Sequence, residues 1–358
     1  MSHAQEEQPS TKNTLHQSYV ELYHHGFLHI KSAALLCAVG LGIPSAIHRC
    51  GGEATISDLA VKTGVHPAKL SYLRRLMRAL ASFGIFAAAA RRPDDDTDET
   101  VAVVYTLTPV SRILVDDRDM SPLLRLLARP ATSVSTFFAM EAWFRDGGAT
   151  TLFEMAHGGV PPSMNDACAV DSGFSMDAML GEVSGKGNFH GLTSLVDVGG
   201  GHGAAAMAIA RAFPHVKCAV LDLEQVISKA PASASDGTVQ FIAGDMFESI
   251  PPANAVFLRH VLDCWDDDHC VKILGQCKRA IPTRDAGGKV IIMNLVVGYG
   301  PLENVVKETQ VLFDMYMMRY GGAEREEQEW KKIFLEAGFS DYKITPILGF
   351  QSIIEVFP

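Results

Sequence analysis

From Leu195 to the last residues, apolar positions come in short runs: Leu195–Val198, Cys218–Leu223, Val239–Ala243, Ala255–Leu258, Lys289–Met293 and Ser352–Phe357. The stretches between them carry helical spacing. Short apolar runs bounded by turn residues read as buried strands, and their alternation with helices predicts a mostly parallel, doubly wound α/β sheet. In such a sheet, ligands sit beyond the carboxyl ends of the strands. Asp197, Asp222, Asp245 and the segment after Leu258 all fall at that edge.

The first part of the chain has a different pattern. Leu15–Leu41 shows helical apolar periodicity with almost no charge, and Ser32–Leu41 lacks a charged face to give to solvent, so this helix needs a partner. Thr55–Ala60 opens a further helix. Pro67 opens another that runs through Leu70, Leu73, Leu76, Met77 and Leu80. Two strand-like pieces, Ile85–Ala88 and Val103–Leu107, then flank an acidic loop, which predicts a winged-helix arrangement. Ser121–Gly191 is helical and rich in Met, Phe and Trp. The expected domains are 1–120 (winged helix), 121–191 (helical linker) and 192–358 (sheet).

Chemistry enters at LVDVGGGHG, residues 195–203, where a buried strand meets Gly199, Gly200, Gly201 and Gly203 before an Ala-rich helix. Glycines are needed where the backbone turns sharply and lies against a flat ligand. Gly201, Gly203 and Ala206 also satisfy a G-x-G-x-x-A dinucleotide fingerprint, and Asp222, about 20 residues on, suits a ribose in either case. Asp197 separates the two. A carboxylate before the glycines opposes a pyrophosphate but suits the cationic amino-acid end of S-adenosyl-L-methionine. In Gly244-Asp245-Met246-Phe247, a strand-end carboxylate is placed to accept from an adenine amino group.

The chain has 358 residues, 47% hydrophobic and 20% charged, enough for two domains of an ordinary globular protein. A net charge of -10 argues against nucleic acid and anionic membrane as partners, because both are polyanions. No apolar run reaches transmembrane length, and the first residues, with Glu6 and Glu7, do not resemble a signal peptide, so a cytoplasmic location is expected. Seven cysteines, an odd number, fit reduced thiols. Cys264, His269, Cys270 and Cys277 lack C-x-x-C spacing, and His24, His25 and His29 read as solvated or core side chains, so no metal is expected.

LVDVGGGHG, Leu221–Ile227, GDMFESIPP (244–252), GGKVII (287–292) and GGAEREEQEW (321–330) together resemble the plant small-molecule O-methyltransferases of the caffeate type. The similarity is closest to the grass branch acting on phenolics, flavonoids and benzoxazinoids, and it runs from about Leu22 to Pro358. The resemblance implies a Rossmann-like methyltransferase sheet, an N-terminal winged-helix dimerisation domain, a homodimer and a role in secondary metabolism. It implies S-adenosyl-L-methionine held by Asp197, Gly199, Gly201, Asp222, Leu223, Asp245, Met246 and Arg259. A small aromatic acceptor would lie among Met164, Phe174, Met176, Met179, Asn294, Phe313 and Met317. Winged helices often bind DNA, but the second helix here offers only Lys69, Arg74, Arg75 and Arg78 in an acidic protein.

One segment departs from the resembled pattern, read roughly as K-W-x-L-H-D-W, in which the histidine is the catalytic base. Here the stretch is Arg259-His260-Val261-Leu262-Asp263-Cys264-Trp265, with Asp263 in the histidine position and a histidine at 260 instead. An aspartate is a weaker base than a phenolate by roughly six pKa units, about 8 kcal/mol of proton transfer. Of the two carboxylates that flank the family's histidine, one position holds Asn294 and the other Glu324. Three readings follow: an O-methyltransferase using Asp263 or His260 on an acidic hydroxyl or relying mainly on positioning, an N-methyltransferase in which Asp263 stabilises the cation formed from an aromatic or indolic amine, and a cofactor-binding partner subunit impaired in catalysis. The first is favoured.

Overall fold

The computed structural model describes residues 11–91, 102–115, 119–148, 150–159, 165–181, 187–230 and 237–358. The chain divides into two compact units, Met1–Ala128 and Arg129–Pro358.

In the first unit, α1 (Thr11–Gly40) and α2 (Ile43–Arg49) lead to β1 (Glu53–Thr55), α3 (Ile56–Thr63), α4 (Leu70–Ser82) and the antiparallel pair β2 (Phe86–Arg91) and β3 (Ala102–Leu107). Helix α3 starts where expected because Thr55 and Asp58 form a reciprocal cap: the Asp58 N–H donates to Thr55 Oγ1 at 3.2 Å and the Thr55 N–H donates to Asp58 Oδ2 at 2.9 Å. Helix α4 buries Leu73, Met77 and Leu80 at the 3–4 residue spacing of one face, while Arg74, Arg75 and Arg78 stay exposed. Strand β3 lies between β1 and β2. Helices α2, α3 and α4 and this small sheet pack around Ile43, Ile47, Leu59 and Phe86.

The unpartnered part of α1 is not where the sequence suggests. Ala38 and Val39 are buried within this unit, so the end of the helix already has its partner. The exposed apolar side chains lie earlier, at Leu15, Tyr19, Leu22, Tyr23, Phe27 and Ile30. Among the described residues no single helix is long and apolar enough to cross a membrane, although the bent pair Leu15–Gly40 and Ile43–Arg49 together reaches that length and composition.

The second unit is built on β4 (Ser194–Val198), β5 (Lys217–Asp222), β6 (Val239–Ala243), β7 (Ala255–Arg259), β8 (Lys289–Asn294), the short parallel pair β9 (Val296–Val297) and β10 (Arg325–Glu326), β11 (Asp341–Ile347) and β12 (Gln351–Phe357). The main sheet runs β11-β12-β8-β7-β4-β5-β6, parallel except where β12 pairs antiparallel with both β8 and β11. Six of its strands are the predicted runs. The seventh, β11, has no apolar run: DYKITPI is a half-exposed edge strand, and its Pro346 is tolerated because an edge leaves one side of the backbone unpaired. Alternate side chains of the central strands serve two cores. Val196, Val198, Val256 and Leu258 face the helices Asp267–Ala280 and Glu327–Glu336, whereas Leu195, Phe257 and Ile291 pack with Ala206 and Ile209 of the Ala204–Ala212 helix. The six described cysteines are free thiols, and burial pushes those of Cys218 and Cys270 up to about 12.

Gly288 brings the chain into β8 with its backbone against Pro282, whose carbonyl oxygen would be 1.8 Å from an added Cβ. Gly288→Ala is therefore expected to destabilise this unit by about 1–3 kcal/mol, read as a lower denaturant midpoint. An unchanged midpoint would contradict this turn.

Candidate active site

The carboxyl ends of β4 to β8 assemble the site. After β4 the chain turns through the glycines. A Cβ on Gly200 would lie 2.6 Å from the Asp197 carboxylate, and one on Gly203 would lie 2.7 Å from the Phe241 ring. Asp222, ending β5, closes the loop: its Oδ2 accepts from the Gly201 N–H at 2.8 Å and its Oδ1 from the Leu223 N–H at 2.7 Å. Asp245, after β6, accepts from the Phe247 N–H at 2.8 Å, with Met246 half-buried beside it and Leu223 exposed at the end of β5.

Asp197 is 1% exposed, and among the described residues its Oδ2 has no hydrogen-bond partner. Burial pushes its carboxyl up to about 7, against the opposing pull of the Arg259 guanidinium and the Ala206 N–H. His202 Nε2, within the glycine loop, is likewise buried and unpartnered. Arg259 is committed to the Asn165–Gly181 helix. It pairs with Asp171 and donates to Ser172 at 2.8 Å and Ser175 at 2.9 Å. These partners differ from the cofactor-facing role that the resemblance implies for it.

At the end of β7 the backbone of His260 takes φ +48°, a left-handed conformation uncommon for residues other than glycine. The Leu262–Cys264 turn follows. His260 Nδ1 lies 3.3 Å from Asp263 Oδ2, its Nε2 lies 3.4 Å from the Gln351 amide nitrogen, and its ring stacks on Phe313 with centroids 5.7 Å apart. An amide N–H directed at Nε2 and a carboxylate at Nδ1 select the tautomer that carries its proton on Nδ1. Asp263, Glu324 and Asn294 are buried behind the ring, and Asn294 Nδ2 donates to Glu324 Oε2 at 2.8 Å. Burial, with Asp263 and Asp314 close by, pushes the Glu324 carboxyl up to about 10. Candidate ligand atoms of His260, Asp263 and Glu324 lie within 4.8 Å of one another.

Backbone contacts hold this turn in place. The Ala323 N–H donates to the Asp263 carbonyl at 2.9 Å, Gly322 sits so close to that carbonyl that a Cβ would be 2.2 Å away, and Arg325 donates to the carbonyls of Leu262 and Trp265. Arg325 and Gln351 escape the sequence reading. Arg325 stands in the GGAEREEQEW segment, whereas Gln351 reaches His260 from 91 residues away and leaves no local signal.

The expected acceptor residues divide. Phe313 is at the site and Met317 is buried on the same helix, Asn304–Met318. Phe174 is half-buried, and Met164 lies outside the described residues. Met176 and Met179 require correction: both are fully buried among Ile209, Phe189 and Leu195, because the Asn165–Gly181 helix turns that face onto the Ala204–Ala212 helix. They are core side chains with no surface to offer an acceptor.

Residues 137–340 match the model of an O-methyltransferase domain, and residues 23–117 that of an O-methyltransferase dimerisation domain. The chain is 52% identical to acetylserotonin O-methyltransferase 2 of Oryza sativa subsp. japonica, covering 99% of this chain and 98% of the relative. It belongs to the plant O-methyltransferase family. This O-methyltransferase is also 46% identical to the 5-pentadecatrienyl resorcinol O-methyltransferase of Sorghum bicolor, over 96% of its own length and 97% of the relative's. Its fold matches human N-acetylserotonin methyltransferase in complex with SAM at a TM-score of 0.72 and 19% identity, covering 99% of each chain. It also matches CalO1, a methyltransferase of calicheamicin biosynthesis in an SAH-bound form, at 0.76 and 23%, covering 96% of this chain and 98% of that one. The expected methyltransferase sheet with an N-terminal dimerisation domain is thus borne out.

The raised Asp197 carboxyl has a consequence for the stability of this O-methyltransferase. When unfolded, Asp197 ionises near 3.9; when folded, it does so near 7. Between those values the folded state binds more protons, so stability falls as pH rises. Asp197→Asn is expected to gain stability over the unsubstituted protein from pH 4 to pH 8, on the order of 4 kcal/mol at full effect, in urea titrations across that range. A pH-independent difference would show that the carboxyl is not desolvated.

Proposed function

We propose that this O-methyltransferase uses S-adenosyl-L-methionine to methylate a hydroxyl of a small aromatic plant metabolite of the phenolic, flavonoid or benzoxazinoid type, with His260 as general base oriented by Asp263. The residues fit the cofactor on two observations. The unpartnered, buried Asp197 Oδ2 beside the glycine loop suits a cationic amino-acid group, and Gly200 lays its backbone against that carboxylate, where a Cβ would be 2.6 Å away. Gly199, Gly201, Asp222, Leu223, Asp245 and Met246 complete the binding edge. When bound, the cofactor supplies an electrophilic methyl group on a sulfonium.

The carrying observation is the His260–Asp263 contact at 3.3 Å. With its proton on Nδ1 and directed at Asp263, the imidazole keeps its lone pair at Nε2, which gives up the Gln351 amide N–H in order to take the acceptor's hydroxyl proton. The Asp263 carboxylate then stabilises the imidazolium. An imidazole is a stronger base than a carboxylate by roughly 2.6 pKa units, about 3.5 kcal/mol, so Asp263 serves better as orienter than as base. Phe313, stacked on His260, offers an apolar wall for a flat ring.

Asp263 is buried and already engaged by His260, which favours a hydroxyl acceptor over an amine that would need the carboxylate for itself. The rice and sorghum relatives are named for O-methylation of acetylserotonin and of an alkenylated resorcinol, which supports an aromatic hydroxyl as the acceptor. The dimerisation-domain match and the exposed apolar residues of α1 support a homodimer.

His260→Ala is expected to lower methyl transfer by about 10²–10⁴-fold in a labelled-methyl screen over phenols, flavonoids, hydroxyindoles and aromatic amines, while calorimetry shows cofactor affinity retained. Transfer to amines alone would establish the N-methyltransferase reading, and no transfer by the unsubstituted protein would establish the impaired partner subunit. For the dimer, Leu22→Glu with Phe27→Glu should shift sedimentation from dimer to monomer at micromolar concentration; a protein already monomeric before substitution contradicts the proposal.

A further inference from the structure

We propose that Arg319 selects the acceptor by its charge: the guanidinium takes a carboxylate carried at the far end of the hydroxyaromatic molecule whose hydroxyl meets His260. This deepens the function proposed above and rests on it. Arg319 is 0% exposed, and among the described residues its Nε, Nη1 and Nη2 all lack a hydrogen-bond partner. A guanidinium keeps its charge when buried, so its N–H groups need acceptors and its charge needs a counter-charge. Arg325, buried almost as deeply, has both: it donates to the Leu262, Ala323 and Trp265 carbonyls and pairs with Asp267. What Arg319 has instead is two rings. Its guanidinium carbon lies 3.5 Å from the centre of the Tyr316 ring and 4.3 Å from that of Tyr320. Rings cover the flat face of a guanidinium and leave the donors at its edge unused. The Tyr316 hydroxyl is buried and unpartnered too, which adds a second donor beside the first. Arg129 acts on Tyr320 as a further cation.

The position of Arg319 connects it to the reacting end of the site. Phe313, Tyr316 and Arg319 follow at three-residue spacing along the end of the Asn304–Met318 helix, so their side chains share a face. The rings run in a row: His260 to Phe313 at 5.7 Å, Phe313 to Tyr316 at 6.2 Å, then the Arg319 guanidinium over Tyr316. A rise of about 1.5 Å per residue sets Arg319 about 9 Å along the helix from Phe313, the span of an aromatic ring with a short side chain. A ring lying on Phe313 with its hydroxyl at His260 therefore extends its opposite substituent toward Arg319. The backbone there is held by the Phe153 N–H, which donates to the Arg319 carbonyl at 2.9 Å, and the Phe153 ring packs on Tyr320 at 5.4 Å. A carboxylate suits this place better than a neutral substituent. It brings the missing charge and two oxygens in the plane that a guanidinium fork matches, whereas an ester or amide carbonyl leaves the charge unpaired.

The probes are 3-(4-hydroxyphenyl)propanoate, its methyl ester, and 3-phenylpropanoate, which carries the carboxylate but no hydroxyl to methylate. The unsubstituted protein is expected to favour the acid over the ester by about tenfold or more in kcat/KM, and Arg319→Met to lose about 30-fold or more on the acid but less than about threefold on the ester. Arg319→Lys keeps the charge without the planar fork, so it should fall between the two, and it carries the test if Arg319→Met does not fold. Equal turnover of acid and ester by the unsubstituted protein, or an equal loss on both in the variants, would overturn the proposal, because Arg319 would then only hold the fold. Calorimetric titration of 3-phenylpropanoate into protein loaded with the demethylated cofactor separates this proposal from the reading of His260. The acid should bind the unsubstituted protein and His260→Ala alike, and Arg319→Met about 30-fold more weakly. Binding that ignores the Arg319 substitution overturns the role of Arg319 whatever His260 does. Binding that depends on Arg319, in a protein whose methyl transfer survives His260→Ala, supports Arg319 and removes His260 as the base.

Discussion

Taking carboxylates out of water at the carboxyl edge of the sheet is the constraint on which the site depends. A buried carboxylate is tolerated only with a proton, a cation or several donors. Asp222 solves this with backbone donors, two N–H groups of the loop it closes. Asp263 takes an imidazole, and Glu324 takes an amide on one oxygen. Asp197 has one oxygen left over beside the glycine loop, as Asp263 and Glu324 each do near His260.

The sheet makes these four solutions neighbours. Parallel strands deliver their carboxyl ends to one side, so residues from β5, β7 and β8 come to one edge of the sheet although more than 20 residues separate each from the next. Rigidity comes from the two cores that the strands share. The turn from His260 to Trp265 is then tied to the Gly322–Arg325 segment through backbone contacts at Asp263 and through the Arg325 guanidinium.

Much of this was legible in the sequence because it is local. Six strands announced themselves as apolar runs, and the glycine turn with Asp197, Asp222 and Asp245 could be placed from spacing alone. The edge strand β11 was invisible because it is half in solvent and has no run to see. Met176 and Met179 were misjudged because a Met on a helix has the same signature whether it faces a ligand or another helix. The roles of His260 and Gln351 depend on a left-handed backbone angle and on contacts 91 residues apart, and neither is encoded by neighbouring residues.

The backbone of His260 has a consequence for how this region tolerates change. With φ at +48° the ring folds back over the turn to reach Asp263, three positions on, so the two side chains occupy one functional place between them. Substitution at either position alters what the other is for. A histidine installed at 263 would remove the acceptor that orients His260 and would meet Glu324 through a different pair of atoms. The two positions therefore constitute an epistatic pair, in which the worth of an exchange is set by the residue already standing at the other and cannot be obtained by adding single effects.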